Sequence, residues 1–460
     1  MRNINDFFES IASKKVLFCG MGVTNIPLIK MFAQRGILTL ACDKKSRSEL
    51  GDVAVSLESF GATLLFENDD VNTIDCDIIF RTPGLYFNCE MLNIARTSGK
   101  VVTSELEVLL DYCPSNTIGI TGSDGKTTTT TLISEILTQA GKTVHKGGNI
   151  GKNLLVDIEK MQKDDFVVAE ISSFQLISMR TSPQVSIVTN MSENHLDVHK
   201  DMPEYIDAKR NIFLHQNAFS QTIINADNAI TKTFAPDVRG LKYEFSRKIE
   251  LARGAFVRDE KIFFKDEDGE VEIMNTSDIA LKGTHNIENY LAAVCATIKH
   301  ASPDDIKRVA QNFMGVEHRC QLIKESRGVK WYNDSIATTP SRTTAGLLPF
   351  EKPVILLAGG YDKNLDYTPL APTILQKVKV LILTGDTAKK IESAVKSHKN
   401  YNPNSLEIIT VENLQQAVKL ANEKAVVGDE VVLSPASASF DHFKNFEERG
   451  YAFKKFVNEL

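Results

Sequence analysis

The residues best placed to do chemistry are Thr121-Gly122-Ser123-Asp124-Gly125-Lys126-Thr127-Thr128-Thr129. A β-like run, Thr117-Ile118-Gly119-Ile120, precedes them and a helix-like run, Leu132-Ile133-Ser134-Glu135-Ile136-Leu137, follows. Strand, Gly-rich turn, Lys-Thr and helix make a phosphate-binding loop. Glycines let backbone N–H groups close on phosphate, and the helix N-terminus adds partial positive charge. Lys126 supplies a point charge for outer phosphates, and the Thr127 hydroxyl suits Mg²⁺. The loop is shorter than G-x-x-x-x-G-K-[ST], since Ile120 stands where that motif has its first glycine. The hydroxyl run from Thr127 to Thr131 is poor in helix propensity. It is expected to turn toward phosphate or metal.

Other candidates lie at predicted strand ends, where ligands of α/β sheets collect. Glu170 closes Phe166-Val167-Val168-Ala169 and suits Mg²⁺, with Ser172-Ser173-Phe174-Gln175 in the same turn. Gly147-Gly148-Asn149-Ile150-Gly151 suggests backbone in close approach to something. His195 is a candidate metal ligand in Asn190-Met191-Ser192-Glu193-Asn194-His195-Leu196-Asp197, although a lone His is more often structural. Lys209 sits in a helix-like stretch, where spacing alone makes it a solvated lysine. Near the N-terminus, Gly20-Met21-Gly22-Val23-Thr24-Asn25 approaches G-x-G-x-x-G, with Asn25 in place of the last glycine. Asp43 ends the next strand, where an acidic group commonly meets a ribose. That points to nucleotide binding rather than to a nicotinamide cofactor. Toward the C-terminus, Asn333-Asp334-Ser335-Ile336-Ala337-Thr338, Ala358-Gly359-Gly360-Tyr361-Asp362-Lys363 and Ser434-Pro435-Ala436-Ser437-Ala438-Ser439-Phe440 all follow strand-like runs. Three such loops in one segment suggest a site.

The elements that must position these groups alternate. Strands are predicted at 16–20, 37–43, 78–80 and 100–103, with a helix at 26–35, which implies a parallel doubly wound sheet. The phosphate loop opens a second segment with strands at 166–169 and 185–188. Residues 241–274 read as antiparallel hairpins grafted onto it, and 286–300 as a helix. The third segment returns to parallel α/β. We therefore expect three α/β domains with mostly parallel doubly wound sheets, at 1–113, 114–314 and 315–460, the central one carrying an antiparallel addition. A chain of 460 residues is too long for one core. With 42% hydrophobic and 24% charged residues it reads as soluble and globular. A net charge of −6 without a basic run disfavours nucleic acid. Seven cysteines without C-x-x-C argue for a reducing cytoplasm and against a zinc site, and Cys19 and Cys42 in apolar runs read as core. No stretch approaches a membrane span, and residues 1–15 lack the apolar run of a signal peptide.

Taken in order, these segments resemble the Mur ligases, ATP-dependent amide-forming enzymes of peptidoglycan precursor synthesis, over nearly the whole chain. The carriers are the phosphate loop, Gly148-Asn149-Ile150-Gly151, Glu170-Ile171-Ser172-Ser173-Phe174-Gln175-Leu176, His195, Lys209, His285-Asn286-Ile287-Glu288-Asn289 and Glu317-His318-Arg319. The shortened loop is that family's form of the motif. The C-terminal loops, with Phe443-Lys444-Asn445-Phe446-Glu447-Glu448-Arg449-Gly450, resemble the branch that adds D-glutamate to UDP-N-acetylmuramoyl-L-alanine.

The resemblance implies roles. Gly122, Ser123, Asp124, Gly125, Lys126, Thr127, Thr128, Asn149, Asn289, Arg319 and Asp334 would bind ATP, with Lys126 on the outer phosphates. Thr127 and Glu170 would hold one Mg²⁺. His195 and Lys209 would hold a second, Lys209 as its carbamate. Gly22, Val23, Thr24, Asp43, Lys44, Thr82, Pro83, Gly84, Asn149 and Ser172 would bind the UDP-sugar. Thr338, Lys363, Ser439, Phe440 and Phe446 would bind D-glutamate. Two positions depart from the family's pattern: Ile336 stands where Lys is common, and Asn194 where an acid often precedes the His. The implied partners are these small molecules alone, and the implied chain is a bacterial, cytoplasmic monomer. A sister ligase, a kinase read from the loop alone, and an NAD-linked oxidoreductase read from Gly20 and Gly22 are the rival readings.

Overall fold

All the strands predicted in the first third enter one sheet of the computed structural model, which describes residues 3–22, 24–66, 74–151, 153–192, 199–281 and 283–460. The chain divides into two units, Met1–Phe313 and Met314–Leu460. In the first, β1 (Lys15–Cys19), β2 (Leu38–Cys42), β3 (Thr63–Leu65), β4 (Ile78–Phe80) and β5 (Val101–Thr103) pair in parallel, in the order β3-β2-β1-β4-β5. The order reverses beside β1, so the loops after β1 and β4 part and leave a crevice. Asn25 does the work of the missing glycine. Its buried amide donates to the carbonyls of Cys19, at 3.1 Å, and Gly20, at 2.9 Å, and so holds the turn to its helix.

The second sheet of this unit has nine strands: β6 (Asn116–Thr121), β7 (Val144–Gly148), β8 (Phe166–Glu170), β9 (Val185–Val188), β10 (Gln221–Asn225), β11 (Leu241–Ser246), β12 (Gly254–Arg258), β13 (Lys261–Asp266) and β14 (Gly269–Asn275). Their order is β14-β13-β12-β11-β10-β9-β6-β8-β7. The expected antiparallel hairpins are present, at the edge of this sheet. Strands β11 and β12 pair in parallel, whereas the β12–β13 and β13–β14 pairs are antiparallel. The hairpin therefore continues the sheet instead of decorating it. Alternation in the sequence gives strands and turns but not which neighbour a strand chooses. β6 has β8 on one side and β9 on the other, a second reversal, directly below the phosphate loop.

One apolar cluster joins the two sheets. Phe18, Phe32 and Phe80 of the first pack with Leu155, Val167 and Val188 of the second. The Phe18 and Phe80 rings stack at 4.9 Å, and Phe18 meets Phe32 edge-on at 5.1 Å. Burial of such rings is worth about 3–5 kcal/mol each against alanine, which explains why both sheets belong to one unit.

The second unit holds one sheet: β15 (Gln321–Ser326), β16 (Val329–Asn333), β17 (Val354–Gly359), β18 (Val378–Thr384), β19 (Glu407–Thr410) and β20 (Glu430–Leu433). The order is β15-β16-β20-β17-β18-β19, with only the β15–β16 pair antiparallel. Apolar clusters cover both faces.

Gly254 tests the continuous central sheet. Its φ is +134°, and a Cβ there would clash with the backbone of Glu244 on β11. Gly254→Ala should destabilise the first unit by about 2–4 kcal/mol. Thermal unfolding followed by circular dichroism checks this, and an unchanged melting temperature would contradict the parallel β11–β12 junction.

Candidate active site

The loop after β6 is held open by its neighbours. A Cβ on Gly122 (φ +146°) would collide with the Thr189 hydroxyl, and one on Gly125 (φ +78°) with the Asn289 side chain. The Asp124 carbonyl accepts from Thr189 Oγ1 at 2.6 Å and from Asn190 Nδ2 at 3.2 Å, while Asp124 N donates to Asn190 Oδ1 at 2.9 Å. Ser123 Oγ donates to the Ser192 carbonyl and meets the Tyr205 hydroxyl, each at 3.0 Å. The helix Lys126–Gln139 begins at Gly125. Lys126 Nζ bends back over the loop, donating to the carbonyls of Gly122 (2.9 Å) and Ser123 (2.7 Å).

Thr127 Oγ1 donates to Glu170 Oε2 at 2.7 Å, and Asn149 Nδ2 donates to Glu170 Oε1 at 2.8 Å. Gly148 has no room for a Cβ against the Glu170 backbone, and Asn149 N donates to the Glu170 carbonyl at 2.8 Å. The Gly147–Gly151 cluster thus brings strand β7 close enough to fix Glu170. Asn149, read from the sequence as a ligand contact, here orients a carboxylate. Among the described residues no three His, Cys, Asp or Glu side chains group as metal ligands. One buried carboxylate beside one hydroxyl suits Mg²⁺, which keeps waters and phosphate oxygens for most of its shell. The expectation for the threonine run is corrected. Thr129 Oγ1 donates to Asn289 Oδ1 at 3.2 Å, and the hydroxyls of Thr130 and Thr131 are buried without a hydrogen bond. These residues pack the helix into the unit's interior.

Lys209 also departs from the surface position that spacing suggested. It is 2% exposed, and Nζ donates to the Gly122 carbonyl at 2.8 Å and Thr121 Oγ1 at 3.2 Å, above the Tyr205 ring at 4.9 Å. Burial, then the charge of Lys126, push its pKa well below that of an ordinary lysine, while Glu170 and Asp124 pull the other way. His195, Asn194 and Val23 lie outside the described residues. His199, which the sequence reading passed over, is buried. It bonds Ser173 Oγ at 2.9 Å, approaches Glu204 at 3.4 Å and stacks on Phe174 at 5.2 Å. Its only sequence signal was its spacing of four from His195.

Two cavities lie nearby. One, of about 480 Å³, is lined by Asp43, Lys44, Thr82 and Gly84. The other, of about 220 Å³, brings Pro83 and Gly84 together with Asn149, Ser172 and His199. Gly22 and Thr24 are exposed and line neither. Asp43 spends one oxygen on Met21 N at 2.7 Å, so it shapes the glycine turn as well as facing the cavity. Arg81 ties the two sheets together through Ser178 Oγ (3.0 Å) and the Gln175 carbonyl (3.3 Å), and burial lowers its pKa to about 10. Ser172 caps a short helix through Gln175.

In the second unit, β16, β17 and β20 end together. Asp334 is buried; Oδ2 accepts from Ser434 Oγ at 2.8 Å and Oδ1 from Cys320 N at 3.1 Å. Arg449 is buried across these loops, bonding Ser335 Oγ (3.0 Å) and the carbonyls of Ser335 (2.9 Å), Ser437 and Ala438 (3.0 Å each). The sequence showed it as part of a motif but not as their clamp. Lys363 Nζ lies 5.3 Å over the ring of Phe440, which is 56% exposed, whereas the neighbouring Ser439 is buried. Phe446 accepts from Ser335 Oγ at 2.8 Å and meets His318 edge-on, while Thr338 follows on the Asp334 turn. Arg319 precedes Cys320, and its charge acts on Asp334.

Residues 120–297 match the Mur ligase middle domain, and residues 318–437 match the Mur ligase, glutamate ligase domain. The chain aligns with the UDP-N-acetylmuramoylalanine--D-glutamate ligase of Clostridium botulinum at 46% identity over 459 residues, covering 100% of this chain and 99% of the relative. This chain belongs to the Mur ligase family. A protein of the same name from Acetivibrio thermocellus is 46% identical over 463 residues, 99% of each chain. Among solved structures, the family's UDP-N-acetylmuramate-alanine ligase from Thermotoga maritima gives a TM-score of 0.51 at 17% identity, over 97% of this chain and 99% of that one. At that identity the likeness concerns fold alone. Among the described residues, no helix is long and apolar enough to cross a membrane.

Asp334 offers a pH test. Burial raises its pKa to about 6, above the ~3.9 of an unfolded chain. The native state therefore holds this proton more tightly. The stabilisation is complete below pH ~4 and is lost as pH rises through about 6. Asp334→Asn should gain on the wild type by on the order of 3 kcal/mol between pH 4 and 7. Urea unfolding across that range measures it, and a pH-independent difference would contradict the assignment.

Proposed function

We propose that this chain joins D-glutamate to UDP-N-acetylmuramoyl-L-alanine with hydrolysis of ATP to ADP and phosphate, a step of peptidoglycan precursor synthesis. The observation that carries this reading is the 46% identity, over the full length of the chain, to ligases of that name. The domains at 1–113, 114–314 and 315–460 then take the UDP-sugar, ATP with Mg²⁺, and D-glutamate.

The reaction needs a carboxylate made electrophilic. Phosphorylation of the L-alanyl carboxylate removes the charge that repels an incoming amine. The D-glutamate nitrogen then attacks the acyl phosphate, and phosphate leaves. The amides of Gly122–Thr128 and the Lys126 ammonium bind and orient the ATP phosphates, stabilising charge that develops on them. Thr127 and Glu170 would hold one Mg²⁺, and His195 and Lys209 would hold a second. Mg²⁺, when bound, supplies further neutralisation of phosphate charge. For that second role Lys209 must become an anion: its neutral amine adds to CO₂, a C–N bond forms and a proton leaves, giving a carbamate. Depression of the Lys209 pKa by burial supports this, since only the neutral amine reacts. Asp43, Lys44, Thr82 and Gly84 face the UDP-sugar in the larger cavity, and Lys363 with Ser439 meets the two carboxylates of D-glutamate. Asn149 and Asn289 complete the nucleotide site of the first unit. The protein acts as a cytoplasmic monomer.

Phosphate release from ATP, screened over amino acids with UDP-N-acetylmuramoyl-L-alanine, tests the reading. Release should require D-glutamate. Release with another amino acid, or with none, would point to a sister ligase or a kinase. Lys126→Ala should lower turnover by at least about 10²–10³-fold, the scale of losing one charge-stabilising group, with an unchanged circular dichroism spectrum. Retained turnover would refute its role.

A further inference from the structure

Strands β1 and β2 end side by side with Cys19 and Cys42 as register partners. Both cysteines belong to the apolar cluster of Leu17, Ile79 and Leu92 on one side of the sheet. Adjacent strands lie about 4.8 Å apart, within the roughly 4.4–6.8 Å that a disulfide spans between Cα atoms. The two thiols act on each other, raising the pKa of Cys19 together with burial and lowering that of Cys42 against burial. Cys42, 8% exposed against 3% for Cys19, is the more accessible nucleophile of the pair. Both line the 480 Å³ cavity beside Gly20, Asp43 and Lys44, and Cys42 keeps 8% of its surface exposed. Cys76, in the same cluster, is engaged instead by Lys100 Nζ at 3.7 Å.

We propose that Cys19 and Cys42 form a dithiol modification site in the wall of this cavity, which a hydroperoxide converts to a disulfide. Cys42 attacks the peroxide, its sulfur becoming a sulfenic acid as the O–O bond breaks and hydroxide leaves. Cys19 then displaces the second hydroxide and closes the S–S bond. Two thiols and one hydrogen peroxide give one disulfide and two waters. The bond would fix the strand ends from which the Gly20 turn and Asp43 emerge. Shielding of the pair by bound nucleotide sugar rests on the assignment of this cavity under the proposed function.

The test treats the full chain with hydrogen peroxide, digests it without reduction and reads the peptides by mass spectrometry. A Cys19–Cys42 linked pair, reversed by dithiothreitol and absent from Cys42→Ser, is expected. If that variant fails to fold, Cys19→Ser serves, because the link needs both thiols. Recovery of both cysteines as free thiols, or linkage of Cys42 to another cysteine, would overturn the proposal. Saturating UDP-N-acetylmuramoyl-L-alanine should slow the link several-fold. Linking at an unchanged rate would leave the dithiol in place and overturn the cavity's assignment to the nucleotide sugar.

Discussion

A lysine amine sealed beneath a phosphate loop is the constraint around which the first unit is organised. Lys209 donates to a carbonyl and a hydroxyl and feels the charge of Lys126. A charged ammonium in such a place is costly. The site tolerates the group by favouring its neutral form, and a neutral amine is a reagent. The same burial places this nitrogen against the Gly122 carbonyl, so the chemistry of Lys209 and the shape of the phosphate loop are not independent.

Sheet topology brings these groups together. Each sheet reverses its strand order once near a loop of interest: beside β1 at the glycine turn, at β6 under the phosphate loop, and around β20 where Asp334 and Ser434 meet. Reversal separates the adjoining loops and opens a crevice that side chains from several strands can line. Polar clamps then fix the loops. Asn25, Asn149, Asn190 and Arg449 each spend side-chain hydrogen bonds on neighbouring loops or carboxylates. Such residues look like ligand contacts in a sequence because clamps and ligand groups use the same donors.

That ambiguity marks how far the sequence could be read. The phosphate loop, Glu170 and the parallel strands were legible because glycine spacing, Lys-Thr and apolar runs report local structure. The burial of Lys209 was not, since a lysine on a helix carries no local sign of what its face meets. Neither was the pairing of β12 with β11, because choice of neighbour is settled by long-range packing. Cys19 and Cys42 were read correctly as apolar-run residues, yet their register became visible only when the strands were set side by side. The threonine run misled for a related reason: its hydroxyls suggested ligands, while the helix needed small buried residues.

Carbamylation of Lys209, proposed from its buried amine and lowered pKa, would turn a cation into an anion. Carbon-13 NMR of the protein equilibrated with ¹³C-bicarbonate tests it directly. The account predicts a carbamate resonance that is present in the wild-type protein and absent from Lys209→Arg, with activity falling as CO₂ is removed. A spectrum without that resonance, from a protein whose activity is indifferent to CO₂, would contradict it.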